Sequence, residues 1–422
     1  MSDRSSTPSQ GESEEEQLRL PLELLLPIFR LASLSCDSPS ERSLLHSRLR
    51  LVNRLLSRLY ARRSFRALRL GGGEALPELI GRLKKERETA GMLEGVELRN
   101  MVPWESREGL RKEWKKLSKL CEGLQYLQVG DREVWPKASA GVDGFVLGGM
   151  QGLSALRLIS LEISHAVPPY TLTSWSPSIV PIIPPNLRHL TLSSVTLRKS
   201  VLRIDWYDTV WPPLAQCTLT TLFLCDLQLA NAPGIEDGDL PALLRKLLEA
   251  SAQTLQALHY SCRLPADQPL SDLPSLLDNL AFPSLRVLSV SFARFPPSLF
   301  SAGATPRLEH LALTLCDLVG GARLFVPRCH FSLAAFEALE AALSPSASSM
   351  PMVLKVLEVY KRTKVGFMEQ ETSLYRRVKE KRSEVLEMAR EKGIEVSEPS
   401  WEDADVESAF REKVREVLGE KV

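Results

Sequence analysis

The sequence predicts an α/β fold: a short all-helical N-terminal module, a repeat solenoid with a curved parallel sheet and outer helices, and a helical C-terminal cap. Two arginine-containing apolar stretches at the N-terminus indicate the module, and ten copies of a short apolar motif indicate the solenoid. Between several copies the apolar spacing changes from the period of a strand to that of a helix. We therefore divide the chain into residues 1–17, 18–62, 63–360 and 361–422.

The repeated motif is an apolar residue followed by others at +3 and +5. Its copies are FRALRL at 65, LEGVEL at 93, LQYLQV at 124, LSALRL at 153, LRHLTL at 187, LTTLFL at 219, LQALHY at 255, LRVLSV at 285, LEHLAL at 308 and LKVLEV at 354. The starts lie 23 to 46 residues apart, about 32 on average. Helical apolar stripes between copies are Leu76, Leu79, Ile80 and Leu83; Leu110, Trp114 and Leu117; and Leu240, Leu243, Leu244, Leu247 and Leu248. One such unit cannot cover its own apolar faces, so neighbouring units must stack.

In each strand the residue between the two last apolar positions points to the opposite, inner face of the sheet. These residues are Arg69, Glu97, Gln128, Arg157, Thr191, Phe223, His259, Ser289, Ala312 and Glu358. The pattern resembles leucine-rich repeats of a degenerate kind, because the Asn or Cys expected at +8 is matched only by Cys316. The alternative is a two-layer α/β domain, in which L-x-x-L-x-L is merely the pattern of buried strands.

Composition excludes several classes of protein. The 53 Lys and Arg balance the 52 Asp and Glu, so we expect neither a nucleic-acid partner nor a membrane partner. Seven scattered cysteines without a C-x-x-C pair argue against a disulfide framework and a metal site, and favour an intracellular location, cytoplasmic and/or nuclear. Residues 1–17 are polar and acidic, which predicts a disordered tail without a signal peptide.

The charged segment from 361 to 422 has two amphipathic stretches. The first contains Leu374, Val378, Val385 and Leu386, and the second contains Val406, Phe410, Val414 and Leu418. We expect the second stretch to form a helix that starts after a Ser400 cap. Because terminal repeats need a polar outer surface, the segment is interpreted as a helical cap on the last repeat.

The N-terminal module begins with a helix that is apolar on almost every side. Pro21 suits a first helical turn, and Leu22, Leu25, Leu26 and Phe29 follow at helical spacing. A short helix of this kind is buried on more than one side, so we expect another chain to cover part of it. After a turn at 36–40, a second helix has a stripe of Leu45, Leu49, Val52, Leu56 and Leu59 that packs against the first.

The matched residues of this module are Leu20, Pro21, Glu23, Leu24, Leu25, Ile28, Phe29, Leu51, Val52, Arg54 and Leu59. Their pattern resembles the F-box, here of the fungal type that is followed by irregular leucine-rich repeats. The resemblance implies a substrate-recognition subunit of an SCF-type cullin-RING ubiquitin ligase, which binds a Skp-type adaptor and through it a cullin. The implied adaptor-binding residues are Leu20, Pro21, Leu24, Leu25, Ile28, Phe29, Leu51 and Val52. The alternatives are an N-terminal cap of the solenoid and a repeat scaffold with no ligase link.

The repeats would hold an unidentified protein substrate. Candidate substrate-binding residues are Arg157, Phe223 and His259 on the inner face, and Tyr170, Trp175, Trp206, Tyr207 and Trp211 in two long interruptions of the repeat. Trp and Tyr dominate interface hot spots, although these aromatics would equally well fill gaps in the repeat core. No H-E-x-x-H or G-x-S-x-G motif occurs, so we expect no catalytic residues, no cofactor and no enzyme activity.

Overall fold

The computed structural model describes part of the chain, which divides into two compact units, residues 1–64 and 65–422. The described residues are 27–29, 31–32, 39–52, 67–71, 75–99, 107–129, 145–146, 158, 160–164, 166–167, 186–193, 196–198, 219–230, 245, 247–263, 277, 279–291, 299, 304–314, 322–344, 353–360, 373–400 and 406–419. The predicted tail at 1–17 therefore lies outside the described residues.

The first unit contains helical residues at 27–29 and 31–32, followed by helix α1, Pro39–Val52. Helix α1 begins inside the predicted turn, at a proline whose fixed φ suits a first helical turn. Phe29 and Leu45 pack against Leu49, which is buried. Because Leu45 and Leu49 belong to the same helix, the contact between the two helical segments is the one that joins Phe29 to Leu49.

The second unit consists of fourteen described strands and six described helices. The strands are β1 Ala67–Gly71, β2 Gly95–Arg99, β3 Tyr126–Val129, β4 Phe145–Val146, β5 Ser160–Ser164, β6 Ala166–Val167, β7 His189–Ser193, β8 Thr196–Arg198, β9 Thr221–Ala230, β10 Ala257–Arg263, β11 Val287–Ser291, β12 His310–Thr314, β13 Val356–Tyr360 and β14 Glu395–Ser397. The helices are α2 Ala75–Lys85, α3 Arg87–Met92, α4 Arg107–Leu120, α5 Ala322–Leu343, α6 Ser373–Glu391 and α7 Val406–Leu418.

Eleven of these strands form one parallel sheet in the order β1-β2-β3-β5-β7-β9-β10-β11-β12-β13-β14. Strand β8 also pairs with β9, and the two short strands β4 and β6 pair separately. Strands of the main sheet thus pair in chain order without reversal, as in a protein of stacked repeats. The predicted α/β class with a parallel sheet is confirmed.

Two rows of residues stay in register across all eleven strands, and the one register shift, between β9 and β10, comes after them, between Tyr260 and Cys262. One aligned row, the leucine column, contains Leu68, Val96, Leu127, Leu161, Leu190, Leu222, Leu258, Leu288, Leu311, Leu357 and Val396. The next residues form the polar column: Arg69, Glu97, Gln128, Glu162, Thr191, Phe223, His259, Ser289, Ala312, Glu358 and Ser397. Because side chains alternate along a strand, the two columns point to opposite faces of the sheet.

One predicted position in the polar column is wrong. The place assigned to Arg157 belongs to Glu162, which is aligned with Gln128 of β3 and Thr191 of β7. The motif copy that forms β5 starts at Leu158, a fully buried residue, and reads L-I-S-L-E-I. Five residues therefore separate the predicted start at 153 from the observed one, and Arg157 itself lies outside the described residues.

The main core lies between the leucine column and the helices. The stripe predicted for α2 is confirmed, since Leu76, Leu79, Ile80 and Leu83 are all buried in this core. Leu117, Leu247 and Leu248, from the other two predicted stripes, are buried there as well. Helices α5 and α6 contribute to the same core.

The C-terminal segment adds a strand to the sheet as well as helices. Helix α6 ends at a glycine in the left-handed region, Gly393 with φ of 76°, and the N–H of Ile394 donates to the carbonyl of Ala389 at 3.0 Å. This Schellman ending turns the chain into β14, which pairs with β13. Helix α7 is described from Val406 onward, and residues 401–405, which follow the predicted Ser400 cap, lie outside the described residues.

Candidate functional site

The face of the sheet that carries the polar column, here called the polar face, is the candidate site. Three acidic residues lie in its column, Glu97, Glu162 and Glu358. An aromatic pair, Phe223 of β9 and His259 of β10, lies between the last two. The face therefore combines negative charge with a local apolar patch, since Ala257 and Val287 come two residues before His259 and Ser289.

Helix α7 covers this patch. Phe410 and Val414 of α7 form a buried cluster with Phe223, Ala257 and Val287. The ring centroid of Phe410 lies 5.4 Å from that of Phe223 and 5.4 Å from that of His259. The four-residue spacing of Phe410 and Val414 places both side chains on one side of α7, which is the side that contacts the sheet.

The aromatic pair is stacked because parallel pairing aligns its two residues. The Phe223 and His259 rings lie 4.3 Å apart with an interplanar angle of 15°. Nδ1 of His259 lies 2.9 Å from the hydroxyl oxygen of Ser289 on the next strand. Burial, together with the nearby charge of Arg411, lowers the pKa of His259 to about 3. His259 is therefore neutral at physiological pH.

Arg411 places a buried positive charge against the polar column. Its Nη2 lies 3.3 Å from Oε2 of Glu162 and 3.4 Å from the hydroxyl oxygen of Thr191. Its guanidinium also lies over the Phe223 ring, 5.6 Å from the centroid. Both charged side chains are buried, 8% and 2% exposed for Arg411 and Glu162 respectively, so the pair is shielded from solvent and weakly screened.

Glu358 is a second acid near α7. Burial tends to raise the pKa of its carboxyl group, but hydrogen bonds from His310 and Tyr360 and the charges of His310 and Lys413 lower it below the usual value. Nε2 of His310 lies 3.6 Å from the carboxylate, and the hydroxyl group of Tyr360 lies 3.3 Å from it. Helix α7 thus places Arg411 in contact with Glu162, whereas Lys413, which pairs with Glu416 of the same helix at 2.9 Å, acts on Glu358 through its charge alone.

The predicted substrate-binding residues fall into two groups. Phe223 and His259 lie on the predicted face, but they are only 2% and 1% exposed because α7 covers them. The other six lie outside the described residues: Arg157, Tyr170, Trp175, Trp206, Tyr207 and Trp211. Sequence reasoning missed Glu162 and Arg411, the charged pair of this site.

The first unit has a different kind of surface. Of the five large apolar side chains that are exposed in the described part of the chain, four belong to it: Ile28 at 48%, Leu31 at 66%, Leu44 at 49% and Leu51 at 86%. Two of the predicted adaptor-binding residues, Ile28 and Leu51, are among them. Phe29 instead packs against Leu49 within the unit. Leu20, Pro21, Leu24 and Leu25 lie outside the described residues, as does the side chain of Val52.

Other chemistry is sparse in the parts of the chain that the structure describes. Burial raises the pKa of the Cys121 thiol to about 11, so this cysteine is not a nucleophile at neutral pH. Among the described residues no group of three or more His, Cys, Asp or Glu side chains is arranged to hold a metal ion. None of the described helices is long and apolar enough to span a bilayer. No protein-family model matches the chain, and a search of curated proteins finds no significant match.

Proposed function

We propose that this protein is a substrate-recognition subunit of an SCF-type ubiquitin ligase. The N-terminal module, residues 18–62, binds a Skp-type adaptor and through it a cullin. The repeat unit binds a protein substrate, and ubiquitin transfer is catalysed by other subunits. The observation that supports this proposal best is the exposure of apolar side chains in the first unit, at positions that the F-box resemblance assigns to adaptor binding.

The exposed side chains are costly to leave in water. Leu51 is 86% exposed and Ile28 is 48% exposed, whereas burial of a Leu or Ile side chain is worth about 1.5 to 3 kcal/mol. Val353 is the one other large apolar side chain exposed in the described residues, at 46%. A concentration of exposed apolar residues in one small unit is typical of a surface that a partner covers.

The predicted docking residues differ in exposure, which supports two separate roles for them. Phe29 packs against Leu49, so its role is to hold the first helical residues against α1. Ile28 and Leu51 remain on the surface, and Leu31 and Leu44 join them as further candidate contacts. We therefore assign adaptor binding to Ile28 and Leu51 with these two neighbours, and module stability to Phe29.

The repeat unit supports the second half of the proposal. Eleven aligned parallel strands with helices packed on the leucine column agree with a leucine-rich-repeat interpretation. The opposite, polar face has the mixed apolar and acidic character of a protein-binding surface, and its column residues are covered in this structure, with Glu97, Gln128 and Ser289 only 0%, 2% and 2% exposed. It is the surface on which we place substrate binding.

Calorimetry of the full-length chain with a purified Skp-type adaptor tests the proposal. The double variant Ile28→Asp, Leu51→Asp should weaken adaptor binding by more than about 100-fold, since each interfacial carboxylate must be desolvated. The control variant is Val353→Asp, because Val353 has an exposure similar to that of Ile28 but lies in the second unit. This control should bind the adaptor like the wild type.

The possible results separate the ligase proposal from its rival. If the wild type binds the adaptor and only the double variant fails, the ligase interpretation stands. If the folded wild type does not bind any Skp-type adaptor, the ligase proposal is wrong and the repeat scaffold without a ligase link takes its place. Thermal melting of each variant verifies that loss of binding is not loss of folding.

A further inference from the structure

Helix α7 is packed on the sheet separately from the main core. Its side chains Phe410 and Val414 form a cluster with Phe223, Ala257 and Val287, and none of these five residues belongs to the main core. The main core instead contains residues of α6, including Val385 and Leu386. Removal of α7 would therefore leave the apolar packing between the sheet and its other helices in place.

The surface beneath α7 has the features of a binding site for a helix. Phe223 of β9 provides a flat aromatic surface at one end of the patch, and Ala257 of β10 and Val287 of β11 continue the patch across the next two strands. Glu162 lies on one side of this patch in the polar column, and Glu358 lies on the other. A helix that binds here needs an apolar stripe for the patch and basic side chains for the acids.

Helix α7 meets both requirements within five residues. Phe410 and Val414 cover the apolar patch, and Arg411, next to Phe410, reaches Glu162 and Thr191 at 3.3 and 3.4 Å. Lys413 adds a positive charge that acts on Glu358. The residues F-R-x-K-V of α7, 410–414, thus combine the apolar and basic side chains that this surface contacts.

We propose that the middle of the polar face is a binding site for a basic amphipathic helix of a partner protein, and that α7 occupies this site until the partner displaces it. The partner helix presents an aromatic residue, an arginine at the next position and an aliphatic residue four positions after the aromatic. The identification of this partner as a ligase substrate rests on the proposed function. Binding of the helix itself requires no adaptor.

Competition with α7 sets the apparent affinity of the partner helix for this site. A tethered segment acts at an effective concentration on the order of millimolar, so α7 need bind only weakly to remain docked. A partner must exceed this advantage by making tighter contacts with the same patch and the same acids. The site is therefore selective for partners whose helix fits better than α7.

The test uses the full-length chain and a fluorescent peptide with the sequence of residues 404–420. An opened variant, Phe410→Asp with Arg411→Glu, removes the aromatic contact and reverses the buried charge of α7, which should undock the helix and free the site. The peptide should bind the opened variant at least about 100-fold more tightly than it binds the wild type, in which α7 competes. Fluorescence anisotropy measures both affinities.

Matched controls locate the binding site and the competitor. Glu412 is exposed on α7, so a Glu412→Gln chain should exclude the peptide as the wild type does. A peptide that carries Phe410→Asp and Arg411→Glu should not bind the opened variant. Addition of Glu162→Gln to the opened variant should weaken binding of the unmodified peptide by at least about tenfold, since Arg411 then lacks its buried partner.

Two results would overturn the proposal. In the first, the opened variant keeps its circular dichroism and melting temperature but does not bind the peptide, which means that the surface does not recognise helices in trans. In the second, the opened variant unfolds, which means that α7 is an indispensable part of the fold and not a displaceable occupant. Adaptor binding measured on the same samples separates failure of this proposal from failure of the ligase assignment.

Discussion

Helices α6 and α7 are both charged and amphipathic, yet they pack on opposite faces of the same sheet. Helix α6 buries Val378, Val385 and Leu386 in the main core, on the side of the leucine column. Helix α7 buries Phe410 and Val414 against the polar column. Periodic apolar spacing therefore shows that a helix has one buried side, but it does not show which surface covers that side.

The chemistry of the two buried sides differs. The basic residues of α6 pair near the surface, Lys381 with Glu340 at 2.7 Å and Arg382 with Glu398. The basic residue of α7 that matters most, Arg411, is buried against Glu162. An aliphatic stripe with exposed charges suits the helix layer of a repeat protein, whereas an aromatic residue beside a buried arginine suits a polar surface.

The largest expected effect is the difference in stability lost when a carboxylate is placed on the buried side of each helix. Val385→Asp in α6 places a carboxylate at a fully buried position of the main core and should reduce the free energy of unfolding by more than about 4 kcal/mol. Val414→Asp in α7, also fully buried, should cost less, because undocking of α7 exposes the new charge without disturbing the main core. Urea unfolding followed by circular dichroism measures both changes. Equal losses in the two variants would show that α7 is as integral as α6.

The next effect concerns the buried ion pair of α7. Glu162→Gln removes one charge and leaves Arg411 uncompensated, which costs about 3 kcal/mol for a buried pair, unless α7 undocks at a lower cost. Hydrogen exchange should therefore show loss of protection in residues 406–418, with α6 unchanged. A double-mutant cycle with Arg411→Met isolates the coupling between the two residues. A coupling energy near zero would contradict the assigned contact.

Much of the parallel sheet follows from the sequence, because its strands bury leucines at fixed spacing. The strands at Leu127, Leu190 and Leu311 lie where the motif predicts them. The fourth copy was misplaced because LSALRL and LISLEI overlap in one apolar run, residues 153–163, and both fit the pattern. Only the pairing with β3 and β7 decides between them.

The candidate site was predicted in part for a related reason. The inner-face rule placed Phe223 and His259 correctly, since it needs only the alternation of side chains along a strand. The occupant of that face was missed, because contact between Arg411 and Glu162 joins residues 249 positions apart. The signal available in the sequence was Phe223 itself, an apolar aromatic residue in a column that is otherwise largely polar.

A change of pH tests whether α7 depends on neutral His259. The pKa of His259 is lowered from 6.5 to about 3 by burial and by Arg411. The stability that neutral His259 contributes is therefore complete above pH 6.5 and decreases as the pH falls toward 3. Between pH 6.5 and 5 the docked state should lose at most about 2 kcal/mol, the limit reached when undocking returns the pKa of His259 to 6.5, while the carboxylate of Glu358, whose pKa is lowered, stays ionised. Protection factors in α7 should fall and those in α6 should not. His259→Gln should abolish this pH dependence; if it persists, another group is responsible.

The smallest expected effect is that of Glu398→Gln, which removes a carboxylate that pairs with α6, as Glu162→Gln removes one that pairs with α7. Glu398 pairs with Arg382 and, at 3.5 Å, with Arg390, but all three side chains are partly exposed, at 31%, 20% and 53% respectively. Glu398→Gln should therefore reduce stability by less than about 1 kcal/mol. The effect should also shrink further in 1 M salt, in which exposed pairs are screened while the buried Arg411 pair is not. Urea midpoints for both Glu→Gln variants at low and high salt make the comparison. If the two variants lose equal stability with equal salt dependence, burial is not what distinguishes α7 from α6.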